Sequence, residues 1–229
     1  MNNIATIYQR ELKHYFTSPI AYIFMILLLG IMSFTFFFFF QYFASIRDAN
    51  MRLYFQTMPW FFAVFTAAIS MRLWSEEQKL GTLELLFTMP VKSIEIVLGK
   101  YLAGLTILVI TLILTLSIPL TIAYVGDPDW GKIFTGYLGV FFAGALLLAL
   151  GSFISALTDN QTVSLLLTSV LAVLLIGMGV DTVVLGINDF FSGIGIDDAG
   201  AFFAYFSILE HNDGMVRGIL DLRDVIYFL

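Results

Sequence analysis

Long uncharged stretches alternate with short polar ones along the chain. Five of them are apolar enough to cross a bilayer, whose hydrocarbon core requires about 20 residues of helix. They predict membrane spans at about 20–43, 53–72, 98–124, 133–157 and 161–183. The second contains Pro59, which predicts a kink or a late start. The pattern predicts an all-α polytopic membrane protein with a single transmembrane domain, 1–229.

The first 18 residues have a different, amphipathic pattern. Their apolar residues share one helical face, with polar residues elsewhere: Ile4, Ile7, Tyr8, Leu12, Tyr15 and Phe16. We expect a helix at 1–18 that lies in the membrane interface before Pro19 turns the chain inward.

Residues 72–100 interleave charged and apolar residues at helical spacing. Ser75 can cap a helix, with Gln78 three residues later bonding back to the cap. Pro90 disfavours helix at the residue before it, so the predicted helix covers 74–90. Gly81 lies inside it at a cost of about 1 kcal/mol relative to alanine, which indicates a bend or a close approach by another backbone. Its apolar stripe contains Leu80, Leu83, Leu86 and Phe87.

The last part of the chain changes character. Residues 184–221 mix acidic residues and glycines with short apolar patches, which predicts an extracytoplasmic cap. Residues 225–229 are apolar again, and residues 222–229 predict the start of a sixth span. This run is too short to cross a bilayer. We expect that the sequence stops within that span; the alternative is a C-terminus that stays outside the membrane.

Small residues form a row at four-residue spacing in the fourth span, broken only at Leu147. Such rows let membrane helices approach closely. The predicted helix-packing residues are Gly139, Ala143, Gly151 and Ser155.

Composition supports the membrane assignment. The 229 residues are 59% hydrophobic and 12% charged, whereas soluble domains carry about 25% charged residues. The net charge of −6 argues against a nucleic-acid partner, because no basic face is available to neutralise phosphates. The chain has no cysteine, which excludes disulfides and thiolate chemistry.

Candidate chemistry is sparse. The middle of each predicted span lacks acidic and basic residues, which ion-coupled carriers need inside the membrane. No Gly-x-x-x-x-Gly-Lys-Ser/Thr loop occurs, so any ATPase must be a separate chain. His211 with Glu210 and Asp213 could bind a cation, but a solvated loop explains the trio better. We therefore predict no catalytic residue, metal site or cofactor in this chain.

Three segments resemble one family. The run SEEQKLGTLELLFTMPV at 75–91, followed by EIVLGKYLA at 95–103, closely resembles the first cytoplasmic loop of ABC-2 type transporter permeases. It is most similar to their gliding-motility and copper-enzyme-maturation branch. The segments YQRELKHYFTSPIAY at 8–22 and RGILDLRD at 217–224 also match.

The resemblance implies a six-helix domain of the type V exporter kind, with its sixth helix cut short here. It implies that the loop is a cytoplasmic coupling helix on which an ABC ATPase docks. The implied coupling residues are Glu76, Glu77, Lys79, Gly81, Thr82, Leu83, Glu84, Leu86, Phe87 and Pro90. The chain itself would not be an enzyme, because ATP and Mg²⁺ would be bound by the ATPase.

The implied partners are a dimer of ATPase subunits and a second permease, either a copy of this chain or a homologue. The implied location is the cytoplasmic membrane of a prokaryote, with the N-terminus inside. Charge supports this orientation weakly, since six Lys and Arg residues lie inside and five outside.

Several alternatives stay open. Helix capping explains Glu76 and Glu77 about as well as ATPase contact does. Leu83, Leu86 and Phe87 insert either into a groove of the ATPase or into lipid headgroups, and the resemblance favours the groove. As a function, we expect export or movement of an unknown substrate, driven by a separate ATPase. The alternative is a non-transporting anchor that transmits force to a partner with a large extracytoplasmic domain.

Overall fold

The computed structural model describes residues 3–39, 51–88, 90–192 and 198–229. All regular structure within these ranges is helical, which confirms the all-α class. The helices are α1 (Asn3–Thr17), α2 (Pro19–Phe34, continued by a π-helix, Thr35–Phe39), α3 (Arg52–Ser70), α4 (Ser75–Lys79), α5 (Leu83–Thr88), α6 (Ser93–Thr115), α7 (Ser117–Val125), α8 (Trp130–Ser155), α9 (Gln161–Gly177), α10 (Asp181–Ser192), α11 (Ala199–Ala204), α12 (Ile208–Val216) and α13 (Leu222–Phe228).

Helix α3 forms the centre of the bundle. It packs against α2, α8, α9 and α12, and Phe55, Phe62 and Ala63 are buried there. The helix is continuous through Pro59, so the predicted late start is not observed. Because other helices surround α3, it tolerates polar residues such as Thr66, whose hydroxyl donates to Phe62 O at 2.7 Å.

Three stretches of the described chain are long and apolar enough to cross a membrane. They are Pro19–Phe38, Ser93–Tyr124 and Trp130–Ser155, with 20, 32 and 26 residues. They correspond to the first, third and fourth predicted spans. Helix α3, the second, is less apolar, and its crossing of the membrane stays a prediction.

The fifth predicted span, 161–183, is not one straight helix. Helix α9 ends at Gly177, and α10 turns away from it by 81°. Ser207 packs at this bend, where its hydroxyl donates to Ile176 O at 3.0 Å. The Ser207 side chain lies against Gly179, and any side chain at position 179 would occupy the space that Ser207 fills. The bent pair α9–α10 is a fourth candidate span.

The segment predicted as an extracytoplasmic cap contains a buried helix. Helix α12 packs against α8 and α3 through Ile208, Asn212 and Met215. The expectation that His211 lies in a solvated loop is therefore wrong. Its Nδ1 lies 2.8 Å from Asp224 Oδ1 and its Nε2 lies 2.9 Å from Tyr205 O. These contacts fasten α12 to α13 and to the end of α11.

The row of small residues on α8 faces other helices. Gly139 lies against Asn212 and Met215 of α12, and Ala143 belongs to a buried apolar cluster between α8, α9 and α12. Gly151 lies against Ser70 of α3 and Thr168 of α9. A side chain at Gly139 or Gly151 would displace these neighbours, because protein interiors have little free volume.

Candidate functional site

Residues 71–88, called the coupling segment below, form two short helices and an exposed turn. Helix α4 ends at Lys79 and α5 begins at Leu83. Gly81 between them has a φ of +67°, a conformation that glycine adopts without strain. The continuous helix predicted over 74–90 is therefore broken at Gly81. The turn is the most exposed part of the segment, and Leu80 at its tip is 68% exposed.

The base of the coupling segment is held by the end of α8. The Ser155 hydroxyl accepts hydrogen bonds from the backbone N–H groups of Trp74 (3.1 Å) and Ser75 (3.2 Å). It also donates to Met71 O at 3.1 Å. The first N–H groups of a helix have no partner within the helix. Ser155 therefore caps α4 from a different helix.

The capping interaction predicted between Ser75 and Gln78 is wrong. Ser75 lies inside α4, and its hydroxyl donates back to Met71 O. Gln78 instead donates to Ala156 O at 2.7 Å, just beyond the end of α8. Trp74 Nε1 donates to the Ser152 hydroxyl at 3.0 Å. The bonds of Gln78 and of the Trp74 side chain, together with the three bonds of Ser155, make five hydrogen bonds between the segment and the end of α8.

On its other side, the coupling segment meets a ring of four alternating charges. Arg10 Nη2 lies 2.6 Å from Glu11 Oε1 and 2.9 Å from Glu77 Oε1. Lys100 Nζ lies 3.2 Å from the same Glu11 oxygen. It also lies 3.1 Å from Glu77 Oε2, an ion pair whose angles fall outside hydrogen-bond geometry. We call these four residues the charge ring; it joins α1, α4 and α6.

A second ion pair stabilises the start of α4. Arg72 Nε donates to Glu76 Oε2 at 2.9 Å, and Arg72 Nη1 donates to the Ser18 hydroxyl at 2.6 Å. His14 Nε2 lies 3.7 Å from Glu76 Oε2. Burial alone would raise the pKa of Glu76, but its hydrogen bond and charge interaction with Arg72, with a further contribution from His14, lower it below its usual 4.5. Glu76 therefore forms its ion pair within the chain, with Arg72 at the start of the coupling segment.

Comparison with known families decides the identity. Residues 5–223 match a family described as ABC-2 family transporter protein. The chain belongs to the ABC-2 transporter family. It is therefore a multi-pass membrane protein, a permease component of an ABC transporter that works with an ABC ATPase. No individually curated protein matches the chain.

The structure separates the implied coupling residues of this ABC-2 permease into two groups. One group faces inward: Glu76 and Glu77 in their ion pairs, Leu86 buried, and Leu83 partly buried against the core. The other group is exposed: Lys79, Gly81, Thr82, Glu84 and Pro90. The side chain of Phe87 lies outside the described residues. The exposed group, together with Leu80, is available to a partner.

Sequence reasoning missed several residues of the site. Arg10 and Glu11 were assigned only to an interfacial helix, Lys100 only to the start of a span, and Ser155 only to helix packing. The signal for Lys100 was weak: a lysine inside an apolar helix commonly pairs with an acidic or carbonyl group, but near a helix end it also reaches the membrane interface. The sequence could not show which partner, since Glu11 lies 89 residues away.

Proposed function

We propose that the exposed turn of the coupling segment is the docking surface for an ABC ATPase on the cytoplasmic side of the membrane. The chain then couples ATP hydrolysis in that partner to the movement of a substrate across the cytoplasmic membrane. ATP and Mg²⁺ are bound by the ATPase subunits, and a second permease completes the transporter. The N-terminus, on the same side as the coupling segment, is cytoplasmic.

The observation that carries this proposal is the contrast between the turn and its base. The base is held by Ser155, by the ion pair of Arg72 with Glu76 and by the charge ring. The turn, in contrast, exposes Leu80 and the charged side chains of Lys79 and Glu84, which form no ion pair among the described residues. An exposed apolar residue flanked by charges on a rigid support is suited to protein recognition.

The docking surface is tested by substitution in the turn. We expect Leu80→Asp and Glu84→Lys to reduce the amount of ABC ATPase that co-purifies with the chain from its native membranes. ATP hydrolysis by the purified complex should fall in proportion. Leu220→Asp is the matched control, because Leu220 is also exposed but lies outside the coupling segment. Unchanged ATPase content and turnover in both turn variants would contradict the proposal.

Transport and force transmission predict different results in reconstituted vesicles. A transporter should change ATP turnover when its substrate is supplied. The force-transmitting anchor requires instead a stable subunit with a large extracytoplasmic domain in the purified complex, together with ATP turnover that depends on that subunit. We propose transport as the function, because the family consists of transporter components.

A further inference from the structure

Helix α1 is more than an interfacial lead-in, because it packs along α6 for most of its length. Gly99 makes this approach possible: a Cβ added there would lie 2.8 Å from Ile7 Cγ2, closer than carbon atoms pack. Asn3 Nδ2 donates to Glu95 Oε2 at 3.1 Å, and the hydroxyls of Tyr8 and Thr106 lie 3.0 Å apart. The contacts thus extend along the helix.

The charge ring extends this attachment to the coupling segment. Each cation of the ring contacts both carboxylates: Arg10 and Lys100 each lie within 3.2 Å of an oxygen of Glu11 and of Glu77. Two cations and two anions leave no net charge. Because Glu11 belongs to α1, Glu77 to α4 and Lys100 to α6, the ring is the point at which the three helices meet.

Lys100 is the buried member of the ring. Its side chain is 2% exposed, compared with 52% for Arg10. Its ammonium group also donates to Leu73 O at 2.7 Å and lies 5.2 Å from the centre of the Trp74 ring. A buried ammonium group is costly unless it is paired, so these contacts hold α1 and the coupling segment in fixed positions around it.

We propose that Lys100 is a positioning residue that joins α1 to the coupling segment, so that a displacement of the segment by a bound ATPase moves α1 as well. This inference rests on the proposed function. It adds a second route from the ATPase into the membrane helices. The first runs directly through Ser155 into α8, and the second runs through Lys100 into α1 and α6.

A purely structural role predicts a different response to substitution. Lys100→Met or Glu77→Gln alone leaves the ring with an unbalanced charge, and either variant should be less stable. Together they leave Arg10 paired with Glu11, so the double variant is balanced. If the ring serves stability alone, the double variant should behave like wild type. If Lys100 transmits movement, stability should recover but transmission should not.

The experiment measures hydrogen exchange by mass spectrometry on the complex purified with its ATPase, with and without a non-hydrolysable ATP analogue. In wild type, we expect exchange in peptides covering α1 and the coupling segment to change together on nucleotide binding. In the Lys100→Met, Glu77→Gln double variant, the melting temperature should lie near that of wild type. The coupling segment should still respond to the nucleotide, whereas the response of α1 should be strongly reduced, because among the described residues only the contact of Glu76 with His14 then joins a charged side chain of the segment to α1.

Two further variants keep the test decisive. Arg10→Gln with Glu77→Gln also removes one charge of each sign, but it leaves Lys100 bonded to Glu11 of α1 and to Leu73 O of the coupling segment, so it should retain the α1 response. Lys100→Arg keeps the charge and should retain the response. An α1 response of wild-type size in the Lys100→Met, Glu77→Gln variant, an equal loss in both double variants, or no α1 response in wild type would overturn the inference. No response of the coupling segment in wild type would contradict the proposed function instead.

Discussion

Replacing Ser155 by alanine tests the rigidity of the coupling segment's base. The substitution removes one oxygen atom and creates almost no cavity. It leaves the buried N–H groups of Trp74 and Ser75 without an acceptor, while Met71 O keeps its bond from the Ser75 hydroxyl. Each unsatisfied buried donor costs about 1–3 kcal/mol. Two such donors would cost about 2–6 kcal/mol. Because hydrogen bonds between membrane helices often measure only about 0.6 kcal/mol, we place the free-energy cost of the substitution in the lower part of this range, at about 2–4 kcal/mol.

The assay is thermal unfolding in detergent, followed by intrinsic tryptophan fluorescence. Trp74 itself lies at the perturbed site, which makes the signal local as well as global. For a chain of this size, 1 kcal/mol shifts the melting temperature by about 2–4 °C, so we expect a decrease of roughly 4–16 °C. The amides of Trp74 and Ser75 should also exchange faster with solvent.

The matched control is Ser169→Ala on α9. The Ser169 hydroxyl donates to Leu165 O of its own helix, so no buried donor is orphaned. Its effect should stay within about 0.5 kcal/mol. If Ser155→Ala melts within about 2 °C of wild type, its hydroxyl does not support the segment, and the argument for a rigid base fails.

Three other predictions follow from the same region. Gly81→Ala should cost about 1 kcal/mol of stability, seen as a slightly lower melting temperature, because the backbone there has a positive φ that alanine disfavours, although the added methyl group meets no other atom. Gly186→Ala is the control: its methyl group also enters open space, its φ is not positive, and it should not destabilise the protein. Gly151→Leu should cost about 3 kcal/mol or more through overpacking against α3 and α9 and reduce the monodisperse yield on size-exclusion chromatography, whereas Gly30→Leu should not. Glu76→Gln should make the melting temperature depend less on pH in the acid range. Because the pKa of Glu76 is lowered in the folded protein, its charge contributes stability above pH 4.5, and this stability is lost as the pH falls below 4.5. Melting curves between about pH 6 and pH 3 check this, and equal losses of stability in wild type and Glu76→Gln over this range would refute it.

Local pattern was sufficient for the fold class and for part of the site. The apolar runs predicted the helices at Pro19–Phe38, Ser93–Tyr124 and Trp130–Ser155, since length and hydropathy are properties of contiguous sequence. The interleaved charges drew attention to the coupling segment, where Lys79 and Glu84 are exposed. The poor helix propensity of glycine indicated a bend at Gly81, where the helix is in fact broken.

Tertiary contacts account for what the sequence did not predict. The cap of α4 comes from Ser155, about 80 residues away, whereas capping rules consider only neighbours. Glu77 looked like a first-turn acid, yet its partners Arg10 and Lys100 come from two other helices. His211 looked solvated because its neighbours in sequence are acidic, but α12 turns it inward toward Asp224. Side chains that bond across the fold leave no periodic signal.

The most direct test of the central claim is site-specific photo-crosslinking from the tip of the coupling segment. A photoreactive benzoylphenylalanine replaces Leu80 in cells that express the chain, and the adducts are identified by mass. We predict an adduct with an ABC ATPase, and none when the same group replaces Leu220. Irradiation at Leu80 that yields only lipid adducts, or a partner without an ATP-binding domain, would contradict the account.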